Sequence, residues 1–203
     1  MGVRMDKSIL ILLSGGIDSA VMLWAARAGG YTVHAMHVGY GQPAGGVELN
    51  ACRDLAEEGG VRLWTIHTQM PSMDAMCAAP GLAGPRVVHA RNAVLLSLAT
   101  SLAVDLDCPE VWIGCNAADR ADYPDCGKSF INSMSEASYY ATDGKVRVRA
   151  PLLDVSKREI VRQAKALGVP LERCWSCYTP QEGKACGTCD SCRVLDSARA
   201  AVG

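Results

Sequence analysis

Two stretches of the 203-residue chain hold residue types whose spacing can do chemistry. The first is Ser14-Gly15-Gly16-Ile17-Asp18-Ser19, which follows the apolar residues 9–13 directly. Two hydroxyls, two glycines and a carboxylate suit a turn that approaches an anion closely. Glycines leave room, and the N–H groups opening a helix carry the positive end of its dipole. A plain turn capped by Ser or Asp is the blander reading, but it would not need all five residues at once. The second stretch crowds Cys174, Cys177, Cys186, Cys189 and Cys192 together near the C-terminus. Two-residue spacings let thiolates converge, and four around one ion make a closed, structural site of the zinc type. Five thiols compete for four places, and spacing does not choose between Cys174 and Cys177. A 4Fe–4S cluster uses similar spacings. A redox Cys-x-x-Cys pair fits less well, because the motif does not open a helix after a sheet strand.

These residues need a frame, and the hydrophobic pattern supplies one. It predicts strands over residues 9–13, 32–38, 61–67, 111–115 and 146–149, with helices over 20–28, 47–58, 92–104, 129–140 and 156–167. Ser156, Glu159 and Gly168 are the cap, third-position acid and terminating glycine of the last helix. Residues 70–85 read as a loop or lid, and the segment from 116 to about 128 as a long polar loop. Strands alternating with helices imply an α/β fold, a doubly wound, Rossmann-like parallel sheet. Ligands then bind outside the carboxyl ends of the strands, where residues 14–19 lie.

Composition narrows the function classes. The chain is 49% hydrophobic and 20% charged, with a net charge of −1, so nothing global favours nucleic acid or an anionic membrane as partner. No apolar run approaches a membrane span or the core of a secretory signal. A reducing compartment is therefore expected, with a metal rather than disulfides in the cysteine cluster. Cys52, Cys77, Cys108, Cys115 and Cys126 read as small buried hydrophobes.

The glycine turn is neither a Walker loop nor a dinucleotide fingerprint. It resembles the SGGxDS signature of the PP-loop ATP pyrophosphatases, which split ATP between its α and β phosphates to adenylate an oxygen. Further pieces follow in order: Gly39-Tyr-Gly-Gln42, Arg91-Asn92, Gly114-Cys-Asn116, Tyr123-Pro-Asp-Cys126, Pro151-Leu152, Ser156-Lys157, Trp175-Ser-Cys-Tyr178 and Cys186-Gly-Thr-Cys-Asp-Ser-Cys192. With them the chain resembles the QueC family of 7-cyano-7-deazaguanine (preQ0) synthases from Leu12 to Arg193.

That resemblance implies a PP-loop fold of the adenine nucleotide alpha hydrolase type. Residues 1–170 would bind ATP, and residues 171–203 would form a small zinc module packed on them. It implies ATP, Mg²⁺ and zinc, with 7-carboxy-7-deazaguanine and ammonia as substrates. The acid would be adenylated, converted to the amide, then activated again and dehydrated to the nitrile. Ser14, Asp18, Ser19 and Lys157 would be catalytic. Leu12, Leu13, Ser14, Gly15, Gly16, Ile17, Asp18, Ser19, Ala20, Val21, Met22, Arg91 and Asn92 would surround ATP. Tyr40, Gln42, Asn116, Asp119, Tyr123 and Asp125 would meet the acceptor, and Cys177, Cys186, Cys189 and Cys192 would hold zinc, leaving Cys174 spare. A homodimer in the cytoplasm of a bacterium, or of a phage's host, is expected, with no direct contact to nucleic acid or membrane.

The chain departs from the family pattern at two places. His89-Ala90-Arg91-Asn92 stands where the family usually has Pro-Gly-Arg-Asn, and Gly127-Lys128-Ser129-Phe130 where it has Arg-Pro-Glu-Phe. Both bear on the acceptor pocket more than on ATP chemistry, which leaves open a relative that stops at the amide or uses another acceptor. Two further readings are a tRNA-modifying PP-loop enzyme and a non-catalytic zinc-bearing interaction protein. His34 and His37 read as strand histidines rather than ligands, and Trp24, Trp64 and Trp112 as packing residues. Asp119, Asp122 and Asp125 share one loop, a site element or a solvated acidic one.

Overall fold

The computed structural model describes residues 7–70 and 88–200. Five strands, β1 (Ser8–Leu12), β2 (Thr32–Gly39), β3 (Arg62–His67), β4 (Glu110–Trp112) and β5 (Arg147–Arg149), form one sheet in the order β3-β2-β1-β4-β5. Every pairing is parallel; Leu10, for example, sits opposite both His34 and Val111.

β1 shows why the apolar run has no polar interruption. Its residues alternate between faces. Ile9 and Ile11, with Leu13 just beyond, enter one core with helices α1 (Ile17–Ala28) and α2 (Gly45–Glu58). Leu10 and Leu12 enter the other, against α3 (Arg91–Asp105) and the helix Lys128–Ala141. A strand covered on both faces has no polar side to show.

Several boundaries differ from the sequence reading. α1 begins at Ile17, three residues earlier than expected, so Asp18 and Ser19 belong to its first turn. The fourth strand stops at Trp112, and residues 114–116 turn out of the sheet. The segment read as a long loop contains a one-turn helix α4 (Asp119–Asp122) and a 3-10 turn (Pro124–Cys126) before α5 (Lys128–Ala141). α6 (Lys157–Leu167) follows β5, with Ser156 Oγ accepting from the Glu159 N–H at 3.3 Å and Gly168 at φ 66° closing it. A last helix, α7 (Asp190–Ala200), was not anticipated; Cys192, Leu195 and Ala198 form its buried face. The lid expected over residues 70–85 lies, apart from Met70, outside the described residues.

Trp24 and Trp112 pack against the α1 side of the sheet, as read. His37 is buried and His34 half-buried on β2. Cys52, Cys108, Cys115 and Cys126 are buried and unpaired. Among the described residues no helix is long and apolar enough to cross a membrane.

Candidate active site and metal centre

From β1 the chain winds to β2 and β3 on one side, while β4 and β5 extend the other. The crevice beyond the carboxyl ends of β1 and β4 is therefore the switch point where such sheets take ligands. Residues 14–19 leave β1 here and residues 114–116 leave β4. The two turns touch: a Cβ on Gly114 would lie 3.3 Å from Met22 Cε, 3.5 Å from the Ser19 nitrogen and 3.6 Å from Asp18 Cβ.

Gly15 takes φ +83°, and a Cβ there would meet Ala51 Cβ and the Glu48 carbonyl at 3.0 Å. Glycine is required both by the dihedral and by the space. The Ser14 and Ser19 hydroxyls lie 3.2 Å apart, and Ser19 Oγ donates to the Gly16 carbonyl at 2.9 Å. Gly16 is the N-cap of α1 and supplies no side-chain acceptor. The N–H groups of the first turn, which have no intrahelical partner, are thus left to a ligand. Leu13, Ile17, Ala20, Val21 and Met22 are buried in the core, and Leu12 nearly so, so their side chains are packing and only their backbone can serve a nucleotide.

Asp18 and Lys157, 139 positions apart, meet at 2.5 Å between Oδ2 and Nζ. The other carboxylate oxygen, Asp18 Oδ1, is buried with no hydrogen-bond partner among the described residues. Asp119 accepts the Asn116 N–H at 3.0 Å, while burial and then the nearby Asp18 charge push its carboxyl above the usual range. Asn116 is itself buried, its Oδ1 accepting the Ala118 N–H at 2.9 Å, so it shapes the loop that carries Asp119. Two carboxylates with one uncommitted oxygen fit a hard divalent cation of the Mg²⁺ kind.

Beyond this pair lies a more aromatic rim. Arg91, first residue of α3, donates to the Tyr40 hydroxyl at 3.4 Å. The Tyr40 N–H is held by Gln42 Oε1 at 2.8 Å, and Gln42 Nε2 donates to Glu48 at 2.8 Å. Burial raises the Glu48 carboxyl, against the pull of the Gln42 hydrogen bond and of Arg91. Asn92 is buried; its backbone N–H binds the Asp125 carboxylate and its Nδ2 the Asp125 carbonyl, both at 2.9 Å, with Cys126 Sγ at 3.3 Å. Asn92 and Asp125 therefore hold each other, which ties the Tyr-Pro-Asp-Cys turn to α3 beside Tyr123.

Across the crevice the cysteine cluster closes. The sulfurs of Cys177, Cys186, Cys189 and Cys192 all lie within 4.8 Å of one another. A tetrahedral ion with bonds of about 2.3 Å would hold its sulfurs roughly 3.8 Å apart, and two of the pairs here measure 3.9 and 3.4 Å. Backbone N–H groups of Thr188 and Cys189 pull the Cys186 thiol down to about 5. Cys174 stands apart in the main core, where burial pushes its thiol up to about 12. The spare cysteine is thus Cys174.

Two residues at the site were missed by the sequence reading. Glu48 lies one helical turn before the buried Cys52, a spacing that could have marked it as inward-facing. Tyr178 follows a cluster cysteine directly and was quoted only as part of a motif. The residue is half-exposed; burial of its phenol, with the charges of Tyr123 and Asp119 adding to it, pushes the group up to about 12 against the opposing pull of Arg91.

Comparison with known proteins agrees with this geometry. The family model for the queuosine biosynthesis protein QueC matches residues 8–202. The 7-cyano-7-deazaguanine synthase of Methylococcus capsulatus is 39% identical over 205 residues, covering 93% of this chain and 92% of its own. The synthase of Thermoplasma acidophilum is 36% identical over 203 residues, covering 92% of this chain and 84% of its own. Among solved structures, the U34-tRNA thiolase NcsA from Methanococcus maripaludis with its 4Fe–4S cluster superposes with a TM-score of 0.58 at 16% identity, over 96% of this chain and 66% of that one. At that identity the likeness is one of fold.

Proposed function

The chain belongs to the QueC family, and from that premise we propose that it converts 7-carboxy-7-deazaguanine, ammonia and ATP to 7-cyano-7-deazaguanine. The observation that carries this reading is the Ser-Gly-Gly-Ile-Asp-Ser turn at the switch point, with an uncommitted Asp18 oxygen beside it. ATP would lie with its β and γ phosphates on the Ser14 and Ser19 hydroxyls and the first-turn N–H groups of α1. The acceptor carboxylate attacks the α-phosphorus in line, the bond to the bridging oxygen breaks, and pyrophosphate leaves into that cradle. Ammonia then displaces AMP from the acyl adenylate to give the amide. A second adenylation, at the amide oxygen, lets a second AMP depart as the nitrile forms.

Lys157 stabilises charge on the leaving phosphates and fixes Asp18, while Arg91 stands where the acceptor's carboxylate or the α-phosphate would pass. Mg²⁺, held by Asp18 and the phosphates with Asp119 nearby, would neutralise charge as the pyrophosphate departs. Tyr40 and Tyr123 would contact the base, with Gln42, Asn116 and Asp125 keeping their loops in place. Zinc on Cys177, Cys186, Cys189 and Cys192 fits four mutually close sulfurs better than a cube of irons, whose corner thiolates stand further apart. Such a closed shell is structural and couples metal binding to folding. The net charge of −1 favours a small-molecule acceptor over RNA. A cytoplasmic homodimer, with residues 1–170 binding ATP and residues 171–203 binding zinc, completes the reading.

The test is mass spectrometry of the base after incubation with ATP, ammonium and 7-carboxy-7-deazaguanine. The nitrile is expected. An amide that accumulates without further conversion would replace this reading with a shortened reaction, and an unchanged acid would overturn it.

A further inference from the structure

We propose that Tyr178 is a binding residue for the acceptor base, and that the four-cysteine segment acts at the active site by holding it there. This rests on the functional reading above. Residues 175–178 make successive ties. The Trp175 N–H donates to the Gly15 carbonyl at 2.8 Å, and the Trp175 carbonyl lies 3.7 Å from where a Gly16 Cβ would be. The segment therefore runs along the phosphate turn itself. Trp175 Nε1 donates to the Cys177 carbonyl at 2.8 Å, closing a tight local loop. Cys177 Sγ accepts the Cys186 N–H at 3.3 Å within the thiol cluster. Tyr178 comes next.

Its surroundings are those of a ligand-facing residue rather than a packing one. Among the described residues the large hydrophobics left exposed are Val94, Tyr140 and Tyr178, the last at 47%. A tyrosine that served only to seal the segment onto the sheet would have its ring covered. Here the residue stays half open, beside Ser191 of α7 and within electrostatic reach of Arg91, Asp119 and Tyr123 on the acceptor side of the crevice. A guanidinium, a carboxylate and a phenol near a half-exposed aromatic side chain match a planar heterocycle with both donors and acceptors on its edge. With Trp175 on the phosphate turn and Cys177 in the cluster, the backbone leading directly into Tyr178 is held at two points. Loss of the metal would free it.

The experiment uses the full chain with Tyr178→Phe and Tyr178→Ala, metal content measured by elemental analysis, and separate KM determinations for ATP and for 7-carboxy-7-deazaguanine. Metal content and the ATP KM are expected to match wild type. The acceptor KM should rise roughly three- to tenfold in the Phe variant, the weight of one hydrogen bond. It should rise roughly tenfold further in the Ala variant, which also loses the aromatic face, with kcat changing less in both. An acceptor KM within about twofold of wild type in the Phe variant, or loss of metal from that variant, would overturn the inference while leaving the functional reading intact. A wild-type protein that does not consume the acid would overturn both.

Discussion

Asp18→Asn separates the two things a charged pair can do. The Asp18–Lys157 contact is only part-buried, with side chains 21% and 33% exposed. Pairs this exposed contribute about 0.2–1 kcal/mol to folding. Asparagine keeps the shape, and its carbonyl oxygen still accepts from Lys157, so the loss of stability should stay below about 1 kcal/mol. The other oxygen, Oδ1, has no partner within the described residues, so folding draws nothing from it. In the proposed reaction it would be the charge aimed at the cation and phosphates. Losing one preorganised electrostatic contact of that kind lowers turnover by roughly a hundred- to a thousandfold, about 2.7–4 kcal/mol. The assay is AMP release at saturating ATP and acceptor, run beside urea unfolding of the same preparation. Turnover within about threefold of wild type would refute the reasoning. So would a stability loss above about 3 kcal/mol, which is what breaking a buried structural ion pair costs.

Replacing Cys177, Cys186, Cys189 or Cys192 with Ser should strip the metal, whereas Cys174→Ala should keep it and cost only about 1–2 kcal/mol of folding for the core volume lost; elemental analysis and unfolding curves check both. Ala90 caps α3 at φ 57°, a conformation that costs a non-glycine residue about 1–2 kcal/mol, so Ala90→Gly should raise the melting temperature, and a neutral or lower value would contradict this. Burial holds the His37 imidazole below its ordinary 6.5. The unfolded chain then binds the extra proton between the folded value and 6.5, so the stability His37 contributes is complete above 6.5 and is lost as the pH falls through that window. The stability gap between wild type and His37→Gln should therefore narrow below pH 6.5, and a gap that stays constant would show that the ring does not titrate.

The sheet and the site's location were legible because the signals were local. The run at residues 9–13 has no polar residue, and only a doubly covered strand explains that. The turn at residues 14–19 is also contiguous, and so is the cysteine triplet. What escaped depends on distance or on competing signals. α7 was hidden because Cys189-Asp-Ser-Cys192 reads first as metal spacing, although Cys192, Leu195 and Ala198 recur at helical intervals. The apolar pattern of β4 runs on past Ile113, whose N–H still pairs with the Arg149 carbonyl, but Gly114 lies against Ser19 and Met22 and the chain leaves the sheet there. Nothing near Asn92 announces that its amide donates to the Asp125 carbonyl. The pairing of Asp18 with Lys157 spans most of the chain, and the sequence offered each for phosphate chemistry without joining them.

In the proposed reaction the acceptor's own oxygen is adenylated. The direct measurement uses 7-carboxy-7-deazaguanine labelled with oxygen-18 in its carboxylate, with ATP and ammonium, followed by mass spectrometry of the nucleotide. The label should appear in AMP, with unlabelled pyrophosphate as the other product. Label in inorganic phosphate, with ADP in place of AMP, would contradict the claim.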